Sequence, residues 1–221
     1  LLIDDYTRLG GFILGKSDST RPIEIETKID VIGNISLYGG EITLEENLFS
    51  TLSGGDILLK SKGKVQTTGS RNLQTNNGDI TLWADSDGNG EGNILVGDDN
   101  IFNSANGRTG DTDSSGGRIT FGGGNNSGVI PNGNSVSSSL PGVKLGTTTA
   151  NHTQIYSGGV NITINGESTA INLVDDRDEA GIYQWGKMTM KSGRGSIIML
   201  GLSSTYQGIG LTDPLSDSDS G

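Results

Sequence analysis

The chain repeats a five-residue pattern in which glycine is followed by a polar residue, isoleucine or methionine, any residue, and a second apolar residue. Side chains alternate between the two faces of a strand, so each copy predicts a turn that leads into a strand with two side chains facing a core. The eight copies begin at Gly33, Gly40, Gly55, Gly78, Gly92, Gly117, Gly186 and Gly195.

Such a short strand cannot bury a core alone, and repetition along the chain predicts that the strands stack on one another. We therefore predict an all-β fold, a parallel β-solenoid. Only 31% of the 221 residues are hydrophobic and 5% aromatic, which is little for a sandwich or an α/β core but enough for a narrow solenoid. The predicted inward residues are Ile42, Leu44, Ile57, Leu59, Ile80, Leu82, Ile94, Val96, Ile119 and Phe121. We expect the 37 glycines to serve as turn residues with positive φ.

The repeats predict one solenoid over residues 1–210 with protruding loops. Residues 122–142 are rich in glycine, asparagine and serine, and they predict either a long loop or a linker between two blocks. The loop is favoured because strand patterns resume at Val143–Leu145 and Val160–Ile164. Residues 211–221 are polar and acidic and predict a flexible tail or linker.

Charge and composition limit the classes of function. The formal net charge is −11, so nucleic acid is a poor partner for this chain. There is no cysteine, which excludes disulfide, zinc-finger and cysteine-nucleophile chemistry. No window approaches 18 consecutive apolar residues, so we expect no membrane insertion. An acidic surface rich in glycine, asparagine and serine favours a secreted protein.

Three segments resemble the large filamentous-haemagglutinin-like exoproteins, adhesins of the two-partner secretion type. They are Asn77–Gly88, Gly92–Val96 and Gly116–Gly122, and the resemblance in repeat style covers about residues 30–125. It implies a right-handed parallel β-helix that belongs to a larger secreted protein at the cell surface, and a role in adhesion or scaffolding. The expected partners are a glycan or protein on a host or neighbouring cell, neighbouring domains, and copies of the same chain.

One loop matches the first half of an EF-hand calcium loop, in which alternate oxygen ligands surround one cation. The candidate ligands are Asp85, Asp87 and Asn89, with Glu91 as a further one. Position twelve falls on Val96, so the usual bidentate glutamate is missing. The competing interpretation is a set of Asx turns in a solvated loop. Asp111, Asp113 and Ser115 repeat the half-pattern more weakly.

A polysaccharide-active enzyme, a lyase or hydrolase, is the alternative function, because such enzymes use carboxylates on one face of a β-helix. The adjacent pairs are Asp98-Asp99 and Asp175-Asp176, but neighbouring residues on a strand point to opposite faces. The single histidine, His152, has no serine and aspartate beside it in the sequence. We therefore predict no catalytic residues and no cofactor other than calcium.

Aromatic residues could stack on sugar rings if they were exposed in a line, although packing between coils is their commoner role. The candidates are Tyr38, Trp83, Tyr156, Tyr183, Trp185 and Tyr206.

Overall fold

The computed structural model describes residues 9–124, 131, 133–171, 179–205 and 207–211. These residues form three parallel sheets, and the chain visits the sheets in turn, so three strands make one coil. The predicted parallel β-solenoid is confirmed. The strands of sheet 1 are β1 (Phe12–Gly15), β4 (Ile35–Gly39), β7 (Ile57–Ser61), β10 (Ile80–Trp83), β13 (Ile119–Gly122), β14 (Ser135–Ser137), β17 (Ile162–Ser168) and β20 (Ile197–Ser203).

The other two sheets complete each coil. Sheet 2 contains β2 (Ile23–Ile25), β5 (Ile42–Leu44), β8 (Val65–Thr67), β11 (Ile94–Val96), β15 (Val143–Leu145), β18 (Ile182–Gln184) and β21 (Ile209–Leu211). Sheet 3 contains β3 (Ile29–Val31), β6 (Leu48–Ser53), β9 (Asn72–Asn76), β12 (Ile101–Asn103), β16 (His152–Tyr156) and β19 (Lys187–Lys191).

The core consists of columns of apolar side chains that run through the stack. In one column Ile35 pairs in register with Ile57, Ile57 with Ile80, and Ile80 with Ile119. All four are fully buried, because parallel in-register strands place equivalent inward positions directly above one another. The ten predicted inward residues are all buried, which confirms that prediction.

The repeat glycines have a different cause from the one predicted. Of the eight glycines that begin the pattern, only Gly186 has positive φ. Most of the others lie where backbones of successive coils come close: a Cβ on Gly33 would lie 1.8 Å from the carbonyl oxygen of Gly10, and one on Gly117 would lie 1.8 Å from that of Gly78. Gly55 is crowded instead by the Ser50 hydroxyl of the preceding strand. The requirement is space between coils rather than an unusual backbone angle.

Buried hydroxyl groups hold the corner between sheets 3 and 1. Thr75 donates to the carbonyl of Gly78 at 2.6 Å, and Ser104 donates to that of Gly117 at 2.6 Å. Ser192 makes the same bond to Gly195 at 2.7 Å two coils later. These bonds satisfy carbonyls that turn away from the sheet ladders, as buried polar groups require.

The loop predicted at residues 122–142 is partly a strand. The chain leaves sheet 1 after β13, folds back through an antiparallel bridge between Gly123 and Gly133, and returns as β14. Both β13 and β14 pair with the long strand β17, β13 with its first half and β14 with its second half. The excursion therefore divides what would be one strand of the coil into two. The three sheets continue on both sides of this excursion.

The ends of the chain differ in part from the predicted division. Leu211, placed in the predicted tail, is the last residue of β21. Residues 212–221, and residues 1–8 of the predicted solenoid, lie outside the described residues.

Candidate functional site

The predicted calcium loop places its first three oxygen-bearing residues in one tight turn after β10. Asp85 is almost fully buried, and its Oδ1 accepts the backbone N–H of Gly90 at 3.1 Å. Asn89 Oδ1 accepts the N–H of Glu91 at 2.8 Å, and its amide nitrogen lies 3.4 Å from Asp87 Oδ2. These are Asx-type bonds, which shape the turn without a cation.

The fourth predicted ligand is used elsewhere. The Glu91 carboxylate accepts a hydrogen bond from the Ser138 hydroxyl at 2.7 Å. Burial raises the pKa of Asp85, and the Asp87 charge adds to this while the N–H groups of Gly90 and its neighbours oppose it. Across the described residues, no three acidic or histidine side chains are grouped so that they could hold a metal ion. Calcium at Asp85, Asp87 and Asn89 stays a prediction.

The weaker half-pattern lies among ion pairs. Asp113 Oδ2 lies 3.7 Å from Arg108 Nε, and Asp111 Oδ1 lies 3.1 Å from Lys191 Nζ. These lysine and arginine contacts compete with any cation at the two carboxylates.

The adjacent acidic pair Asp98-Asp99 supports a turn. Asp98 accepts bonds from the N–H of Thr147 at 2.7 Å and of Thr148 at 3.1 Å, while Asp99 accepts the N–H of His152 at 3.0 Å. Partial burial favours the neutral form of Asp98, but the Thr147 hydroxyl and the N–H groups of Thr147 and Thr148 outweigh it and lower the pKa of the carboxyl. The two residues fix the same corner between coils. Asp175 and Asp176 lie outside the described residues.

His152 faces a neighbouring coil. Its Nε2 lies 2.8 Å from the Thr189 hydroxyl on the paired strand β19. Asp99 contacts the His152 backbone N–H, not the ring. This arrangement lacks the carboxylate that orients the imidazole of a Ser-His-Asp triad.

A ladder of Asx side chains along sheet 1 was missed by the sequence reasoning. Asn34 Oδ1 accepts the N–H of Asp56 at 3.0 Å, Asp56 Oδ1 that of Asp79 at 2.7 Å, and Asp79 Oδ1 that of Arg118 at 2.6 Å. The ladder breaks at Arg118, whose guanidinium has no acceptor. The available signal was the polar second position of the repeated pattern.

The ladder lines a cleft of about 220 Å³ on the outer face of sheet 1. Ser36, Leu58 and Thr81 form its floor. Burial raises the pKa of Asp56, and the Asp79 charge adds to the rise although the Asp79 N–H opposes it. Asp79 lies 3.8 Å from the Arg118 guanidinium. Two carboxylates in different environments are the arrangement that acid and base catalysis uses.

The backbone bonds limit what this pair can do. One oxygen of each carboxylate is already an acceptor for an N–H of the next coil. A nucleophile or general base needs a free lone pair directed at the substrate, and such bonds reduce basicity. The primary role of Asp56 and Asp79 is therefore to hold coils together.

The aromatic side chains do not form an exposed line. Trp83 points outward from sheet 1 but is only 1% exposed, since it donates to the Gly124 carbonyl at 3.0 Å and Lys60 Nζ covers its ring at 3.6 Å. Burial lowers the pKa of Lys60. Tyr156 and Tyr183 are also buried. The remaining candidates are Tyr38 and Trp185, which are half-buried, and Tyr206, which lies outside the described residues.

A second concavity lies on the outer face of sheet 2, with a volume of about 190 Å³. Leu95 and Leu140 give it an apolar wall, and Gln66 and Lys144 add polar groups. Lys144 Nζ also lies 5.6 Å from the Trp185 ring. This groove combines apolar surface, an amide and a cation, a set that suits a small polar ligand.

Comparison with known proteins adds no relative: no family model, no curated protein and no solved structure matches the chain. No helix with the length and apolarity of a membrane crossing occurs in the described part of the chain.

Proposed function

We propose that this chain is a non-catalytic structural or adhesive segment of a larger secreted protein that acts at a cell surface. The observation that carries the proposal is that the described residues stack as seven coils on one apolar core. At about 4.8 Å per coil, this stack makes a rod of about 30 Å. A rod converts chain length into reach, which is what a surface scaffold or adhesin needs.

The use of polar groups also supports a structural role. The carboxylates of Asp56 in the sheet 1 cleft and of Asp98 at a corner between coils each accept a hydrogen bond from a backbone N–H of the next coil. The net charge of −11 keeps the rod soluble and disfavours nucleic acid. An exposed glycan or protein on a host or neighbouring cell is the proposed partner, and the sheet 2 groove at Leu95 and Lys144 is the proposed contact.

The alternative is a polysaccharide-active enzyme, and one observation favours it: Asp56 and Asp79 share a cleft and have different environments. Adjacent coils are about 4.8 Å apart, close to the carboxyl separation of about 5 Å in retaining glycosidases. Asp56 would be the acid in such an enzyme, and Asp79 the base or nucleophile.

Incubation with acidic and neutral polysaccharides separates the two functions. We expect binding to some of them without new reducing or unsaturated ends. Turnover that Asp56→Asn or Asp79→Asn abolishes, and that the control Asp87→Asn in the exposed loop leaves intact, would establish the enzyme instead. Loss of binding in Lys144→Ala would support the sheet 2 groove as the contact.

A further inference from the structure

Positively charged side chains gather at one corner of the solenoid, between sheets 1 and 2 on the first three described coils. The whole chain has 15 lysine and arginine residues against 26 acidic ones, and five of the 15 lie at this corner. Two of the five are paired with a carboxylate, that of Asp18 or Glu41, each at 3.3 Å. The other three form no ion pair with a described residue. The five residues are Lys16, Arg21, Lys60, Lys62 and Lys64.

A pair of glycines leaves the centre of this corner without side chains. The N–H of Gly40 donates to the Arg21 carbonyl at 2.8 Å. On the other side, the N–H of Lys62 donates to the Gly39 carbonyl at 3.1 Å. Arg21 and Lys62 therefore lie on the coils before and after the glycines, and their backbones are about 9.6 Å apart. We call this arrangement, the two glycines and the five cations around them, the basic notch.

The Lys62 side chain reaches across the glycines. Its Nζ donates to the backbone carbonyl of Asp18 at 3.1 Å, although Lys62 lies on the third coil and Asp18 on the first. The Nζ of Lys16 lies 3.3 Å from the carboxylate of the same aspartate. Two ammonium groups are thus held at one residue that supplies a single negative charge, and Arg21 follows in the same loop. Such a cluster of like charges creates a positive potential that attracts anions.

An aromatic ring borders the basic notch on sheet 1. Tyr38 is half-buried, and it is in register with Gly15 on the preceding coil and with Lys60 on the following one. Gly15 has no side chain to cover the ring. The ammonium of Lys60 lies over the Trp83 ring at 3.6 Å and pairs with no carboxylate of the described residues. The corner therefore combines cations with an aromatic surface.

We propose that the basic notch binds a glycan that carries carboxylate or sulfate groups. Lysine and arginine are the side chains that donate to such anions. The Tyr38 ring offers an apolar surface to a sugar ring. The glycines let a chain approach the backbone closely, since no Cβ stands in its way. Three lysines within residues 60–64 form a segment that is typical of polyanion binding.

The size of the basic notch favours a glycan over nucleic acid. The acidic loop at residues 85–91 adjoins the third coil, because the Asp85 N–H donates to the Gly63 carbonyl at 3.2 Å. The positive surface is therefore limited to three coils, about 10 Å along the axis. A duplex carries one charge per about 1.7 Å and would extend over the acidic surface beyond, which repels its phosphates.

This inference deepens the proposed function, because it names the chemical class of the glycan, and it rests on that function only for the partner being a glycan. The basic notch also lies away from the sheet 2 groove at Leu95 and Lys144. Variants of the two sites therefore separate a failure of this inference from a failure of the proposed contact.

Fluorescence anisotropy of labelled oligosaccharides with the full 221-residue chain tests the proposal. Oligomers of dextran sulfate and polygalacturonate carry the two anions, and dextran and methyl-esterified polygalacturonate are their neutral counterparts. We expect binding of the anionic oligomers only, with an affinity that falls as salt rises. The double variant Arg21→Ala/Lys62→Ala should weaken binding about tenfold or more. The matched control Lys28→Ala/Lys187→Ala removes the same charge near sheet 3 and should change the affinity less than about twofold.

Asp18→Asn has the opposite expected sign. It removes the carboxylate beside Lys16 but keeps the backbone carbonyl that holds Lys62, so the affinity should rise about twofold or more. A thermal melt checks that each variant is folded.

Four results would overturn the proposal: no binding of either anionic oligomer, equal binding of the neutral ones, equally tight binding of polyglutamate or a DNA duplex, or an unchanged affinity in Arg21→Ala/Lys62→Ala. Binding that only Lys144→Ala abolishes would also overturn it, and would leave the sheet 2 groove as the contact.

Discussion

Replacing Gly78 with alanine should destabilise the fold by about 3 kcal/mol. A Cβ at this position would lie 2.0 Å from the carbonyl oxygen of Gly55 and 2.4 Å from its carbonyl carbon. The two coils would have to separate until the contact lengthened to about 3.4 Å. Nearby bonds cannot follow: Ile57 donates to the Asp79 carbonyl at 2.9 Å, and Asp79 donates to Asp56 at 2.7 Å.

The magnitude follows from those contacts. Two weakened hydrogen bonds cost about 1 kcal/mol each, and overpacking adds at least about 1 kcal/mol. For a chain of this size the loss corresponds to a fall in Tm of about 10 °C. Urea denaturation followed by circular dichroism measures the change directly, as a lower midpoint at an unchanged slope.

A matched glycine isolates the cause. A Cβ on Gly110 would lie 3.5 Å from the Asp113 carboxylate, which is an ordinary contact, and Gly110 lies in a loop. Gly110→Ala should therefore leave the midpoint close to that of the wild type. If Gly78→Ala is as stable as Gly110→Ala, the close approach of coils is not what requires glycine.

Three further outcomes are expected. Ile80→Asp should cost at least about 4 kcal/mol in urea denaturation because it buries an unpaired charge, whereas Thr43→Asp on the outer face of sheet 2 should cost little. Burial raises the pKa of Asp56 in the folded state, so the folded protein binds more protons than the unfolded protein. The free energy of unfolding should therefore fall as the pH rises above about 4. Asp56→Asn keeps the acceptor oxygen and should flatten that part of a curve of Tm against pH. Millimolar calcium should raise Tm relative to chelator if the loop at Asp85 binds it, and an unchanged melt would remove that site.

The local pattern was enough to predict which side chains face inward. Ile80 and Leu82 are two residues apart behind a glycine, and period-two alternation requires that they share a face. Their burial needs no knowledge of which strand lies above or below. The same holds for the strand after Gly92, although the loops around it are long.

Contacts between coils could not be predicted in the same way. Phe12, Ile35, Ile57 and Ile80 are aligned 22 or 23 residues apart, but the next aligned residue, Ile119, follows only after two long loops. The partner of a given residue in the neighbouring coil therefore has no fixed spacing. The bond from Asp79 to Asp56, the lack of space at Gly78 and the cover over Trp83 all depend on that pairing.

The predicted calcium loop shows a second limit of local sequence patterns. Alternating Asp85, Asp87 and Asn89 fit both a cation loop and a self-bonded turn, because both use oxygen atoms directed inward. The fate of Glu91 separates the two only when its partner Ser138, far along the chain, is known.

The solenoid requires that strands of successive coils lie parallel and in register. Cysteine pairs test this directly, because the chain has no cysteine of its own. Thr43 and Gln66 are partners on β5 and β8, and Gln66 is the partner of Leu95 on β11. Adjacent positions are about 4.8 Å apart and can form a disulfide, whereas positions two coils apart, at about 9.6 Å, exceed the limit of about 7 Å. Mild oxidation followed by peptide mass spectrometry should find the cross-link in Thr43→Cys/Gln66→Cys and not in Thr43→Cys/Leu95→Cys. The reverse result, or no cross-link in the first variant while it remains folded, would contradict the stacked parallel coil.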